Sequence, residues 1–134
     1  MSARIKILAV IYIFILAGIV VLADVRQTQF LFNFIRSLPF GDKIGHFFLM
    51  GIFSLLVNLA LSAKTICLWK FKYLLGSLIV SMIITLEEFS QIFVRGRTFD
   101  AGDLIVDFAG ISIFGEIARF IISRFISTAA ETTS

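Results

Sequence analysis

Residues 42–62 read DKIGHFFLMGIFSLLVNLALS, a charged entry followed by an apolar run interrupted only by His46, Ser54 and Asn58 among its polar side chains. A hydrocarbon layer roughly 30 Å thick is crossed by about 20 predominantly apolar helical residues. From Ile44 to Ser62 the stretch has that length. Three others come close to it, at about 5–23, 71–93 and 104–122. Over the 134 residues, 59% of side chains are hydrophobic, there is one proline and the mean hydropathy is +1.02. That leaves too little polar surface for a soluble monomer. The expectation is an all-α protein, a four-helix transmembrane bundle with the lipid bilayer as its solvent, and residues 1–134 forming one domain without linker or repeat.

The first segment, preceded by Arg4 and Lys6, has the charge pattern of a signal peptide. Its length and the lack of a small-x-small exit predict a retained anchor. Cys67 is the single cysteine and lies between two segments, so neither an internal disulfide nor a cysteine metal cluster is expected. The net charge of +3 is spread over helix ends, which excludes a nucleic-acid footprint and instead reports topology. With the amino terminus cytoplasmic, Arg4, Lys6, Lys64, Lys70, Lys72, Arg119 and Arg124 fall inside and Arg26, Arg36, Lys43, Arg95 and Arg97 outside. This modest bias places both termini in the cytoplasm. Trp69 among Lys64, Lys70 and Lys72 has the makings of an inner interfacial anchor. Between the first two segments, residues 27–38 can put Phe30, Leu31, Phe34, Ile35 and Leu38 on one helical face. They predict either a short amphipathic segment in the outer leaflet or a loop packed over the bundle.

The acids gather at one set of segment ends: Asp24, Asp42, Glu87, Glu88, Asp100, Asp103 and Asp107 outside, Glu116 and Glu131 inside. At 100° per residue, Ser77, Ser81, Thr85, Glu88, Gln91 and Arg95 share one face of the third segment. Ser and Thr alone would mean ordinary helix packing, whereas a carboxylate below the interface demands a partner. In the fourth segment Asp100, Asp103, Asp107 and Gly110 form a stripe. Asp100 or Asp103 can cap the helix, but Asp107 lies a turn deeper, where capping does not explain it. In the second segment the four-residue spacing puts Asp42 beside His46, where a carboxylate could set the imidazole tautomer. Ser54 and Asn58 read as interhelical hydrogen-bonding groups. Arg95 and Arg97 could clamp a phosphate or carboxylate, or neutralise the neighbouring acids.

The ordered combination of Asp42-Lys43-Ile44-Gly45-His46-Phe47, Glu88-Phe89-Ser90-Gln91, Arg97-Thr98-Phe99-Asp100-Ala101-Gly102-Asp103 and Asp107-Phe108-Ala109-Gly110 with Gly115 resembles the VanZ-like membrane proteins, over roughly 42–115. One departure is Asp107, where the family pattern commonly has Asn, so a ligand there need not require a charge. The resemblance implies a multi-pass integral protein of the bacterial cytoplasmic membrane. The founding member is associated with low-level resistance to the glycopeptide teicoplanin, which makes envelope stress and antibiotic resistance the expected setting.

Three functions follow as expectations. In the first, Asp42, Lys43, His46, Glu88, Gln91, Arg97, Asp103 and Asp107 line an outer-face pocket for the polar head group of a lipid-linked cell-wall precursor or a glycopeptide-related ligand. In the second, a membrane hydrolase or transferase acts on a phosphorylated prenyl lipid. There His46 is the acid or base, Glu88 or Asp103 its carboxylate partner, and Arg97 with Lys43 hold the phosphate. No resident metal centre is expected, although Mg²⁺ or Ca²⁺ bridging Asp100, Asp103 and a substrate phosphate would relieve the negative charge. In the third, the charges fix helix packing and function lies in contacts with another membrane protein.

Overall fold

The computed structural model describes residues 3–24, 41–93 and 100–131. Among these, α1 spans Ala3–Asp24, α2 Gly41–Ala60, β1 Thr65–Leu68, β2 Phe71–Leu74, α3 Leu75–Gln91 and α4 Ala101–Glu131. The segment expected over residues 27–38 lies outside the described residues.

All four expected segments contain a helix, but the chain is not all-α. The apolar run expected to begin a helix at residue 71 instead begins with a strand, paired antiparallel with β1 from Thr65↔Leu74 to Leu68↔Phe71. Short runs such as TICL and FKYL, rich in β-branched and aromatic residues, suit strands as well as helices, and periodicity does not separate the two. The two-residue turn decides it: Trp69 adopts a left-handed φ of 58° and closes the hairpin with Lys70. Just upstream, α2 ends in a Schellman arrangement. Ser62 is left-handed (φ 54°), Ala63 N–H donates to the Asn58 carbonyl (2.7 Å) and Ser62 N–H to the Leu59 carbonyl (3.1 Å). The third helix therefore starts at Leu75, while the fourth extends well past the expected residue 122.

Packing centres on α2 and α4, which run side by side in the same direction. Their contacts advance together: Lys43 with Asp103, His46 with Asp107, Phe47 with Gly110 and Gly51 with Phe114. Two glycines permit this approach. A Cβ at Gly110 would collide with the Phe47 carbonyl, and one at Gly51 would enter the Phe114 ring. α3 runs antiparallel to both, and α1 packs on α2, where the Tyr12 hydroxyl donates to the Leu49 carbonyl (3.0 Å) and its ring lies 6.2 Å from that of Phe53.

Leu16, Met50, Phe53, Val80, Ile84 and Ile111 form the apolar core. Alongside them Ser54, Asn58, Glu88 and Asp107 are fully enclosed, while Phe14, Met82, Leu86, Phe93 and Ile105 are exposed. α3 buries Val80, Ile84 and Glu88, leaves Ser77, Ser81 and Thr85 half-buried, and exposes Ile79, Met82, Ile83, Leu86 and Phe89. Among the described residues one helix, α2, contains a window long and apolar enough to cross a membrane, Lys43–Ala60 with mean hydropathy 1.6.

Candidate functional site

The charged groups meet where α2 and α4 begin and α3 ends. Asp100 caps α4: its Oδ1 accepts the Gly102 N–H at 2.7 Å, and its carbonyl accepts Asp103 N–H at 3.1 Å. The capping role expected for Asp100 or Asp103 thus falls to Asp100. The Lys43 ammonium reaches over from α2 to donate to Asp103 Oδ1 at 2.9 Å and lies 3.5 Å from Asp100 Oδ2. The Gly102 N–H foremost, and then the Lys43 ammonium, hold the Asp100 carboxyl below the usual range.

One turn deeper, His46 Nδ1 lies 3.2 and 3.3 Å from the two Asp107 carboxylate oxygens. Asp107 is a partner that the sequence did not offer for His46; of those it did offer, Glu88 stays within 4.8 Å and Asp103 pairs with Lys43. The physical reason is helix register: with the backbones brought together at Gly110 and Phe47, Asp107 sits opposite His46 while Asp103 sits opposite Lys43. Asp107 is 1% exposed, against 29% for His46. Glu88 enters from the last turns of α3, 2% exposed, and His46, Glu88 and Asp107 each present a ligand atom within 4.8 Å of the other two.

Of the residues expected in the pocket, Lys43, His46, Glu88, Asp103 and Asp107 are therefore brought together. Asp42 sits in the first turn of α2 and Gln91 ends α3, but their side chains, and Arg97 altogether, lie outside the described residues, as does Arg95. The Asp107 to His46 pair was the feature the sequence reading missed. Gly110, one turn beyond Asp107 on its stripe, was the signal that could have found it.

Further along the same helices is a second polar group, this one neutral. Asn58 Nδ2 lies in hydrogen-bond reach of the Ser54 carbonyl (2.9 Å), Ser54 Oγ (3.2 Å) and Ser77 Oγ (2.9 Å), and Ser54 Oγ donates to the Ile111 carbonyl at 2.9 Å. Gly76 and Gly115 make room for it, since a Cβ on either would strike Asn58 or Ser77. Ser54 and Asn58 are thus the interhelical bonding groups that the sequence suggested.

The geometry supports binding of a polar or ionic group at the charged end and close packing at the neutral one. In comparisons with known proteins, no family model, no curated protein and no solved structure matches this chain.

Proposed function

We propose that this chain is a multi-pass protein of the bacterial cytoplasmic membrane, akin to the VanZ-like proteins. Its outer-face pocket would recognise the polar head group of a lipid-linked cell-wall precursor or a glycopeptide-related ligand. The observation that carries the reading is the gathering of Lys43, His46, Glu88, Asp103 and Asp107 at one end of a helical bundle whose outward surface is apolar. A phosphorylated head group could reach Lys43, which is 38% exposed, while its hydrocarbon stays against the exposed apolar helix faces. Such an arrangement suits an amphiphile whose polar part sits at the membrane surface.

Four crossings fit the dimensions unevenly. α1 and α2, with 22 and 20 residues, match a hydrocarbon layer of roughly 30 Å. α3, with 17 residues, is roughly 25 Å long, so the hairpin that precedes it would complete the span at the inner interface. There Trp69, 92% exposed, and Phe71 flank Lys70 and Lys72, an aromatic and basic pairing suited to head groups. α4, with 31 residues, is roughly 46 Å long and would reach into the cytoplasm beyond Arg119 and Arg124.

One observation favours a second reading, an enzyme acting on a phosphorylated prenyl lipid. A histidine held by a buried aspartate has its tautomer fixed, as a general acid or base requires. Asp107 takes the place of Glu88 or Asp103 in that assignment.

The test is direct binding of a polyprenyl phosphate and of teicoplanin to full-length protein in nanodiscs. It compares wild type with His46→Ala, Lys43→Ala and Arg97→Ala, alongside membrane abundance and survival under teicoplanin. Retained abundance with binding and protection lost supports the pocket, and released inorganic phosphate would move the assignment to the enzyme. Wild-type failure to bind either probe, or full protection in all three variants, would sink the head-group reading and leave the charges as packing elements for a partner-binding protein.

A further inference from the structure

Glu88 and Asp107 are at most 2% exposed, come from different helices and converge on the ring of His46. Two carboxylates drawn that close repel one another, and in an apolar surround neither can be stabilised by water. Glu87, Asp103 and Asp107 add negative charge around Glu88, and the His46 ring offers it an opposing one. Lys43, the nearby ammonium, is engaged by Asp103 and Asp100 one turn above. A cation held between the two carboxylates and the imidazole nitrogen would relieve that repulsion.

We propose that His46, Glu88 and Asp107 bind a single divalent transition-metal ion, of the zinc or manganese type. One imidazole nitrogen and two carboxylate oxygens suit such ions. Ca²⁺ takes six to eight oxygens and Mg²⁺ keeps near-ideal octahedral oxygen geometry, so a nitrogen in a three-residue set argues against both. Ligand atoms about 2.0–2.2 Å from a tetrahedral ion stand roughly 3.3–3.6 Å apart. The present spacing, within 4.8 Å, would close by up to roughly 1.5 Å on binding, a shift that side-chain rotation can supply. Each ligand rides on a helix, and the α2 to α4 seam is fixed by the Gly110 and Phe47 contact, so the set is held by backbone packing instead of by a loop. Three protein ligands would leave coordination positions open to water or an added oxygen ligand. The site uses the enclosed half of the pocket and does not depend on the head-group reading, since it requires the ion alone.

A metal here runs against the expectation of no metal centre, which rested on the lone Cys67 and on the Asn that VanZ-like proteins commonly carry at the position of Asp107. It further gives the carboxylate of Asp107 a use that an amide would serve poorly.

Full-length protein purified in detergent and stripped with chelator is titrated with ZnCl₂ and MnCl₂ by calorimetry, and with CoCl₂ by visible absorption. The expected result is saturable binding of one equivalent and a higher melting temperature for wild type on adding metal. His46→Gln, Glu88→Gln and Asp107→Asn should each weaken binding at least about tenfold, while Asp103→Asn, one turn away, retains it. A folded wild type that binds no metal would overturn the proposal and leave neutralisation to a proton or to an arginine of residues 94–99. Binding unchanged in the three amide variants, or lost equally in Asp103→Asn, would also overturn it. Because no lipid is added, failure here is distinguishable from failure of head-group binding.

Discussion

The three helices α2, α3 and α4 meet twice through polar side chains, and the two meetings differ in kind. At one, near the end of α2, Ser54, Asn58 and Ser77 exchange neutral hydrogen bonds within a notch formed by Gly76 and Gly115. At the other, near its start, Lys43, His46, Glu88, Asp103 and Asp107 bring charges of which, among the described residues, the acids are in excess. In the neutral cluster every donor finds an acceptor within the fold, and the buried Asn58 Oδ1, left without a hydrogen bond among the described residues, carries no net charge to balance. An excess of buried charge asks for a proton, a counterion or a ligand. The first region therefore explains packing and the second calls for a function.

The most damaging single change should be one that separates both regions at once. Gly110→Val would force a branched side chain into the Phe47 carbonyl, where backbone cannot yield. A loss of about 3 kcal/mol, the upper end of ordinary overpacking, is expected. Detergent unfolding of the purified variant checks this, and wild-type stability would mean that α2 and α4 do not meet along this seam.

Asn58→Leu tests the neutral region alone. It removes the amide that links Ser54 to Ser77, at an expected cost of about 1–2 kcal/mol. Metal or head-group binding, normalised to folded protein, should not change. A binding defect at unchanged stability would blur the distinction between the regions.

Glu88→Gln tests the charged region with nearly constant shape. Removing one of two crowded carboxylates should leave stability within about 1 kcal/mol of wild type, or raise it, because like-charge repulsion falls while the amide still fits. Function should be lost. Thermal unfolding alongside the binding assay would reveal the opposite outcome, destabilisation with activity kept, which would make this region structural as well.

The smallest effect should come from Asp100 at the solvent edge. Its folded-state carboxyl titrates below the unfolded value of roughly 3.9. Its stabilising contribution is thus complete above that value and lost as pH falls through the lower folded one. Asn can still cap α4 but cannot pair with Lys43. The melting temperature of Asp100→Asn should therefore lie slightly below wild type at pH 7 and converge with it on acidification. A gap that widened on acidification would assign the effect to another group.

The sequence by itself determined where the helices are, because apolar runs near 20 residues leave the backbone few alternatives, and which ends of them carry acids. It also marked Ser54 and Asn58 as interhelical groups, since isolated polar residues in an apolar run need partners. It did not separate the strand Phe71–Leu74 from the helix that follows, because a short apolar run fits both and a left-handed Trp69 turn made the choice. Nor did it reach the Asp107 partner of His46, for which it offered Asp42, Glu88 and Asp103. Spacing along one helix fixes neighbours on that helix alone, whereas the partner across a helix pair depends on axial register. Only the tertiary structure set that register, through the backbone contact at Gly110 and Phe47, and so placed Asp107 against His46 and brought Glu88 beside them.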